Sequence, residues 1–366
     1  MITEEIELTD ISAPPSVADG KPAPGISAVA EILRSRPFRP LSWLSGGHKQ
    51  TLGAYFWPRP RQVKQCRTDE ARLFQVEPDT QVLAHCRWQT DKQNSPTLIL
   101  VHGLEGSTDS IYMRSMAVKA ADAGFNVVRL NQRNCGGTEH LTPTLYHSGM
   151  NRDFLAVVNE LIVRDGLRQI ILSGISMSGN MVLQLAGEHR DELPPELIGI
   201  CAVSPSVDLL ACAAEAGKSE NRFYRYQFVV SLKQRMQRKR KLFPDKYDLK
   251  GMEGIRFIKD FDAKFTVVHG GFTDVEDYYA RCSSRPHIEK IRIPALVIHA
   301  EDDPVVPYHP LTDPVFVENP NVLLLATATG GHVGFLGEAN PDEDRFWAEN
   351  RVIEFARLLV EREWAR

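Results

Sequence analysis

Short apolar runs rich in β-branched residues alternate along this chain with stretches of helical spacing. Each run breaks off into a glycine-rich or polar cluster. Pro96-Thr-Leu-Ile-Leu-Val101 ends in His102-Gly-Leu-Glu-Gly-Ser107, and Phe125-Asn-Val-Val-Arg-Leu130 ends in Asn131-Gln-Arg-Asn-Cys-Gly-Gly137. Gln169-Ile-Ile-Leu172, Leu197-Ile-Gly-Ile-Cys-Ala-Val203, Pro294-Ala-Leu-Val-Ile-His-Ala300 and Asn321-Val-Leu-Leu-Leu-Ala326 repeat the pattern. Helical spacing fills 112–123, 153–163 and 180–186, and 346–359 reads as an amphipathic closing helix. Such alternation predicts an α/β fold with a mostly parallel central sheet flanked by helices. Ligands of such sheets gather at the carboxyl ends of the strands. The polar clusters should therefore share one edge. Arg72–Val76 and Gln81–Trp88 add a hairpin of half-buried strands turning at Glu77-Pro-Asp-Thr80.

Proline and glycine at Ala13-Pro-Pro15, Gly20 and Pro22-Ala-Pro-Gly25 predict a flexible N-terminal arm over 1–36. A first part of the core follows over 37–204, and a second over 292–366. Between them the alternation lapses. Residues 205–291 read as a helical insertion, with helices expected at 224–241, 255–262 and 274–281. Its place just before the last strands suits a lid over the strand ends, the alternative being a purely structural excursion. The basic run Arg238-Lys-Arg-Lys241 is expected to be a solvated helix face rather than a nucleic-acid or phospholipid contact.

The cluster after Gln169–Leu172 carries the sharpest chemical signal. In Gly174-Ile-Ser-Met-Ser-Gly179 a strand breaks and a helix restarts, which puts Ser176 on a sharp turn with its oxygen exposed. The helix start behind it favours the negative charge that builds as that oxygen attacks a carbonyl. A serine needs a base within hydrogen-bond reach and a group to orient that base. His332, flanked by glycines after the last strand, is the candidate base. Asp303, in the proline-stiffened turn Asp303-Pro-Val-Val-Pro307, is the candidate orienting acid. Asp302 is the competitor for that role and reads as a turn former. Ser173 and Ser178 are weaker nucleophile candidates because neither holds the hinge. The oxyanion would take the backbone N–H groups of Met177 and of Leu104. His48 reads as a histidine that ties a loop down rather than a catalytic group.

Formal net charge is −4 over 366 residues, which argues against a nucleic-acid partner. Six cysteines without CxxC spacing predict neither a structural zinc nor a disulfide framework, and Cys201 is expected as a buried thiol. No run approaches the length of a membrane span, and the start is acidic and proline-rich rather than basic and then apolar. A soluble, cytoplasmic chain without an integral membrane segment is expected.

The motif set resembles one branch of the α/β-hydrolase superfamily: the YheT-like hydrolases, the plant embryogenesis-associated proteins and the animal α/β-hydrolase-domain lipases. The residues carrying the resemblance include Trp43-Leu-Ser-Gly-Gly-His-Lys-Gln-Thr51, His102–Ser107, Asn131–Gly137, Tyr146-His-Ser-Gly149 and Gly174–Asn180. Phe261-Asp262, Gly271-Phe272, Asp277-Tyr-Tyr279, Asp302-Asp-Pro304 and Gly330-Gly-His332 complete it. The resemblance implies an α/β-hydrolase fold and a Ser176–Asp303–His332 esterase acting on small acyl esters, in some relatives on glycerolipids, with no cofactor. Two positions depart from the pattern: Ser178 and Asn134 stand where glycine is usual. Acyl transfer, thioester cleavage and non-catalytic lipid or small-molecule binding on the same scaffold are the alternative functions.

Overall fold

The computed structural model describes residues 26–66 and 69–361. Eight strands form one sheet: β1 Glu70–Glu77, β2 Thr80–Arg87, β3 Thr97–Val101, β4 Asn126–Leu130, β5 Ile170–Ile175, β6 Leu197–Val203, β7 Ala295–Ala300 and β8 Val322–Thr327. Their order across the sheet is β1-β2-β4-β3-β5-β6-β7-β8. The hairpin β1–β2 is antiparallel and joins β4 antiparallel, and the other neighbours run parallel.

The longer helices are α1 Ile26–Arg34, α2 Gly47–Phe56, α3 Ile111–Asp122, α4 Arg152–Asp165, α5 Met177–Glu188, α6 Leu209–Gly217, α7 Arg222–Leu242, α8 Val275–Cys282 and α9 Trp347–Glu361. Because side chains alternate across a strand, neighbouring core residues divide between two faces. Ile99, Val101 and Leu172 pack with α4 and α5 on one face, while Leu98, Leu100 and Ile171 pack with α1, α3 and α9 on the other. The run 170–172 is apolar at every position because both faces are covered.

Two expectations are corrected. The arm expected through residue 36 is helical in its described part. Ile26, Val29, Ala30 and Leu33 recur at helical spacing and are buried against the face that α9 covers. The prolines nearby mask that short stripe in the sequence, and residues 1–25 lie outside the described residues. The basic run on α7 is also not wholly solvated. Lys239 is fully buried, its ammonium bonded to the carbonyls of Glu139 and Thr142, and burial pushes its pKa down to about 7. Arg238 pairs with Glu139.

The insertion is helical, but its middle differs from the expectation at 255–262. Helix begins at Ile258 and runs on, through a wider-pitched turn at Asp262–Thr266, to Gly270. All six cysteines are free, and Cys201 is buried. Among the described residues no helix is long and apolar enough to cross a membrane.

Leu33, wholly buried on α1, tests whether this helix belongs to the core. Leu33→Ala should lower the unfolding free energy by about 2–5 kcal/mol in urea denaturation, whereas a flexible arm would tolerate it without change.

Candidate active site

The carboxyl ends of β3, β4, β5, β7 and β8 converge on one edge, as the alternation requires. Ser176 follows β5 directly. Its amide donates to the Val203 carbonyl at 2.8 Å, so the sheet ladder holds the turn to its last residue. The backbone there adopts φ 56° and ψ −117°, a conformation that L-residues reach only under constraint. The turn is tight: a Cβ added at Gly174 would sit 2.2 Å from the Ser178 carbonyl oxygen. Only glycine fits there. Position 178 itself has room for a side chain, which is why serine is accommodated.

Ser176 Oγ lies 3.0 Å from His332 Nε2, and His332 Nδ1 lies 2.8 Å from Asp303 Oδ2. The three residues read from the sequence are therefore brought together in a hydrogen-bonded row. The other Asp303 oxygen accepts from the amides of Val305 at 2.8 Å and Val306 at 2.9 Å. Burial opposes its charge, but the His332 imidazole and these hydrogen bonds hold the carboxyl below the usual carboxylate range. Asp302 does not touch His332. It accepts from the amides of Gly330 and Gly331, both at 2.9 Å, and so shapes the loop that carries the histidine. Ser173 is buried in β5, and the Ser178 hydroxyl faces away from the row.

The loop after β3 passes over Ser176 closely enough that a Cβ on Gly103 would come within 3.0 Å of the Ser176 Cβ. Leu104 follows, beside the serine. Met177 N–H opens α5, where first-turn amides have no partner within the helix. A polar knot anchors this loop. The His102 carbonyl accepts from Gln132 Nε2 at 2.8 Å and from the Ser178 hydroxyl, and Gln132 Nε2 also reaches Ser178 Oγ at 3.0 Å. Burial pushes the His102 pKa down to about 4, so the ring is neutral. Its Nε2, 3.1 Å from the Gln132 amide, accepts, which leaves Nδ1 to donate to the Gly103 carbonyl at 2.8 Å. Glu105, two residues past Gly103, has φ 56° and is bonded by Tyr146 and by Arg235, which reaches across from α7.

The second departure also has a physical reading. Asn134 has φ 64°, a region asparagine tolerates better than other non-glycine residues, and its side chain donates to the Thr144 carbonyl at 3.0 Å.

Sequence reasoning missed what α2 does. Thr51 Oγ1 accepts from the His332 amide at 2.8 Å, and Gln50 bonds both the amide and the carbonyl of Leu336. A Cβ on Gly47 would overlap the Asp302 carbonyl oxygen at 1.7 Å, so α2 abuts the acid loop as well. The glycine pair and the aromatic residues around 43–57 disguise this as a turn. His48 stacks on Tyr224 with ring centroids 5.7 Å apart, tying α2 to α7. Among the described residues no cluster of His, Cys, Asp or Glu is set to hold a metal ion.

A family model described as the alpha/beta hydrolase fold matches residues 96–339. The chain belongs to that family. This α/β-hydrolase is 31% identical to YheT of Escherichia coli (strain K12), over 90% of this chain and 96% of that one. It is 29% identical to the monoacylglycerol lipase of Saccharomyces cerevisiae, over 72% of this chain and 59% of the yeast protein. Among solved structures the Pyrococcus furiosus esterase Pf2001 shares the fold with a TM-score of 0.53 at 17% identity, covering 82% of this hydrolase and 96% of the esterase.

The neutral His102 couples this knot to stability. Its folded pKa lies below the unfolded value of 6.5, so the unfolded chain binds the extra proton, and stability present above pH 6.5 is lost as pH falls toward 4. Between pH 7 and 5 this histidine should remove about 2 kcal/mol. Urea denaturation at the two pH values should show the loss, and His102→Gln should reduce it.

Proposed function

We propose that the protein is a cofactor-independent carboxylic-ester hydrolase working through an acyl-enzyme at Ser176. The observation that carries this reading is the row Ser176 Oγ–His332 Nε2–His332 Nδ1–Asp303 Oδ2, with contacts of 3.0 and 2.8 Å, at the exposed hinge of a strand-to-helix turn. Membership of a hydrolase family, and relatives whose names designate esterases or lipases, support the same chemistry.

In this mechanism Ser176 Oγ attacks the acyl carbon while His332 Nε2 takes its proton. Asp303, charged and fixed by the Val305 and Val306 amides, holds Nδ1–H in place and stabilises the imidazolium. The Leu104 and Met177 amides receive the oxyanion. His332 then protonates the departing alcohol oxygen. A water activated by the same nitrogen releases the acid and restores the serine. A cavity with mainly apolar walls, lined by Leu104, Leu209, Leu232 and Phe261, opens beside Ser176, which favours acyl chains of lipid or medium-chain type. The 205–291 insertion supplies most of that cover and would act as its lid.

Release of p-nitrophenol from acetyl to palmitoyl esters tests the reading. Ser176→Ala should cut turnover by roughly ten-thousand-fold or more and abolish labelling by a fluorophosphonate. A wild type that neither turns over nor labels would overturn it. Thr51→Val keeps the shape of the side chain but removes the acceptor of the His332 amide. It should lower kcat about tenfold with little change in KM, measured on the best ester of that series.

A further inference from the structure

Ser176 and Leu104 stand on the walls of two distinct cavities, one of about 110 Å³ beneath the insertion and one of about 500 Å³ between the start of α7, α2 and the loop after β3. Met177 borders only the inner one, and His332 borders only the outer one. Tyr224, Phe228 and Val305 line both and form the partition, with Tyr224 braced by the His48 ring.

We infer that the two cavities divide the substrate: the acyl group enters the inner chamber, and the leaving alcohol, an uncharged one with an apolar face, occupies the outer cavity. The inference rests on the serine-hydrolase reading, because it follows from the proton. When the tetrahedral intermediate collapses, the bond from acyl carbon to alkoxy oxygen breaks and His332 Nε2–H delivers its proton to that oxygen. The alcohol must therefore depart on the side that His332 borders. The acyl group stays bonded to Ser176 Oγ and takes the other side.

The walls fit the division. Small residues, Ala213 and Ala216, leave space in the inner chamber between Leu209, Leu232 and Phe261. At the outer mouth Tyr55, Phe56 and Phe223 expose 69%, 74% and 54% of their surface, so three large rings on its lining stand open to solvent. Apart from His332, the charged side chains on the outer wall are already paired. Arg59 is bonded to Glu349 and Ser115, both at 2.7 Å, and its remaining Nε is buried. Glu105 is bonded to Arg235. A cationic or anionic alcohol would lose hydration there without finding a free counter-charge.

Two ester series on the purified full-length chain test this. One varies the acyl group on a fixed naphthyl alcohol; the other fixes a butyryl group and varies the alcohol through methyl, naphthyl, choline and a glycerophosphate. Ala213→Phe and Ala216→Phe should each lower the kcat/KM ratio of long to short acyl esters about tenfold and leave the alcohol ranking unchanged. Ala216→Phe carries the test if circular dichroism shows Ala213→Phe misfolded. Phe223→Ala, at an exposed position, should reduce the preference for naphthyl over methyl about threefold and leave the acyl ranking unchanged. The neutral alcohols should exceed both charged ones about tenfold or more. An unchanged acyl profile in the folded chamber variants, an altered acyl ranking in Phe223→Ala, or equal rates on a charged alcohol would overturn the division while leaving the hydrolase reading intact. Silence of the wild type on every ester and toward the fluorophosphonate would instead remove the parent reading.

Discussion

Everything at the site depends on one close approach. The end of β5 and the start of α5 meet so tightly that Gly174 cannot carry a side chain, and Ser176 takes a left-handed backbone to make the turn. Such a conformation persists only when its surroundings over-determine it. Here the ladder bond from Ser176 to Val203 fixes one side, and α5, buried from Met177 to Gly187, fixes the other. With the serine immobile, the loops after β3, β7 and β8 can be placed relative to it. Each is tied by buried polar groups rather than by contact with the serine alone.

Those ties come from parts of the chain far away in sequence. The α2 helix, ahead of the first strand, holds the histidine loop through Thr51 and Gln50 and abuts the acid loop at Gly47. The insertion holds the loop after β3 through Arg235 and Glu105, with the Arg235 guanidinium also lying over the Tyr146 ring at 4.3 Å. The side chain of Glu105 thus connects the cover of the inner chamber to the residue following Leu104. That buried pair ties the loop after β3 directly to the insertion.

The sheet was legible because a strand covered on both faces writes itself as an uninterrupted apolar run, as in 98–101 and 197–203. Strand ends were legible for the opposite reason: polar and glycine residues must collect where the ladder stops, and Ser176, Asp303 and His332 all lie in such clusters. What resisted reading was structure fixed by partners rather than by local pattern. Nothing in Gly46-Gly-His-Lys-Gln-Thr51 says that a helix begins there, because Gly47 is demanded by the approach of Asp302 and not by its own backbone. The stripe on α1 is only four residues long and sits beside a proline-rich stretch. Lys239 looked solvated because its two carbonyl acceptors lie about a hundred residues earlier in the chain.

Ser178 replaces a glycine of the usual pattern and contributes a hydroxyl that the His102 carbonyl and the Gln132 amide both use. Its identity is therefore not free once residue 132 is chosen. Restoring glycine at 178 alone would strand a buried Gln132 N–H, and removing the amide at 132 alone would strip the hydroxyl of its donor. Drift at either position passes through a less stable intermediate, so the two should be inherited as a pair, and a lineage that acquired one would be held to the other.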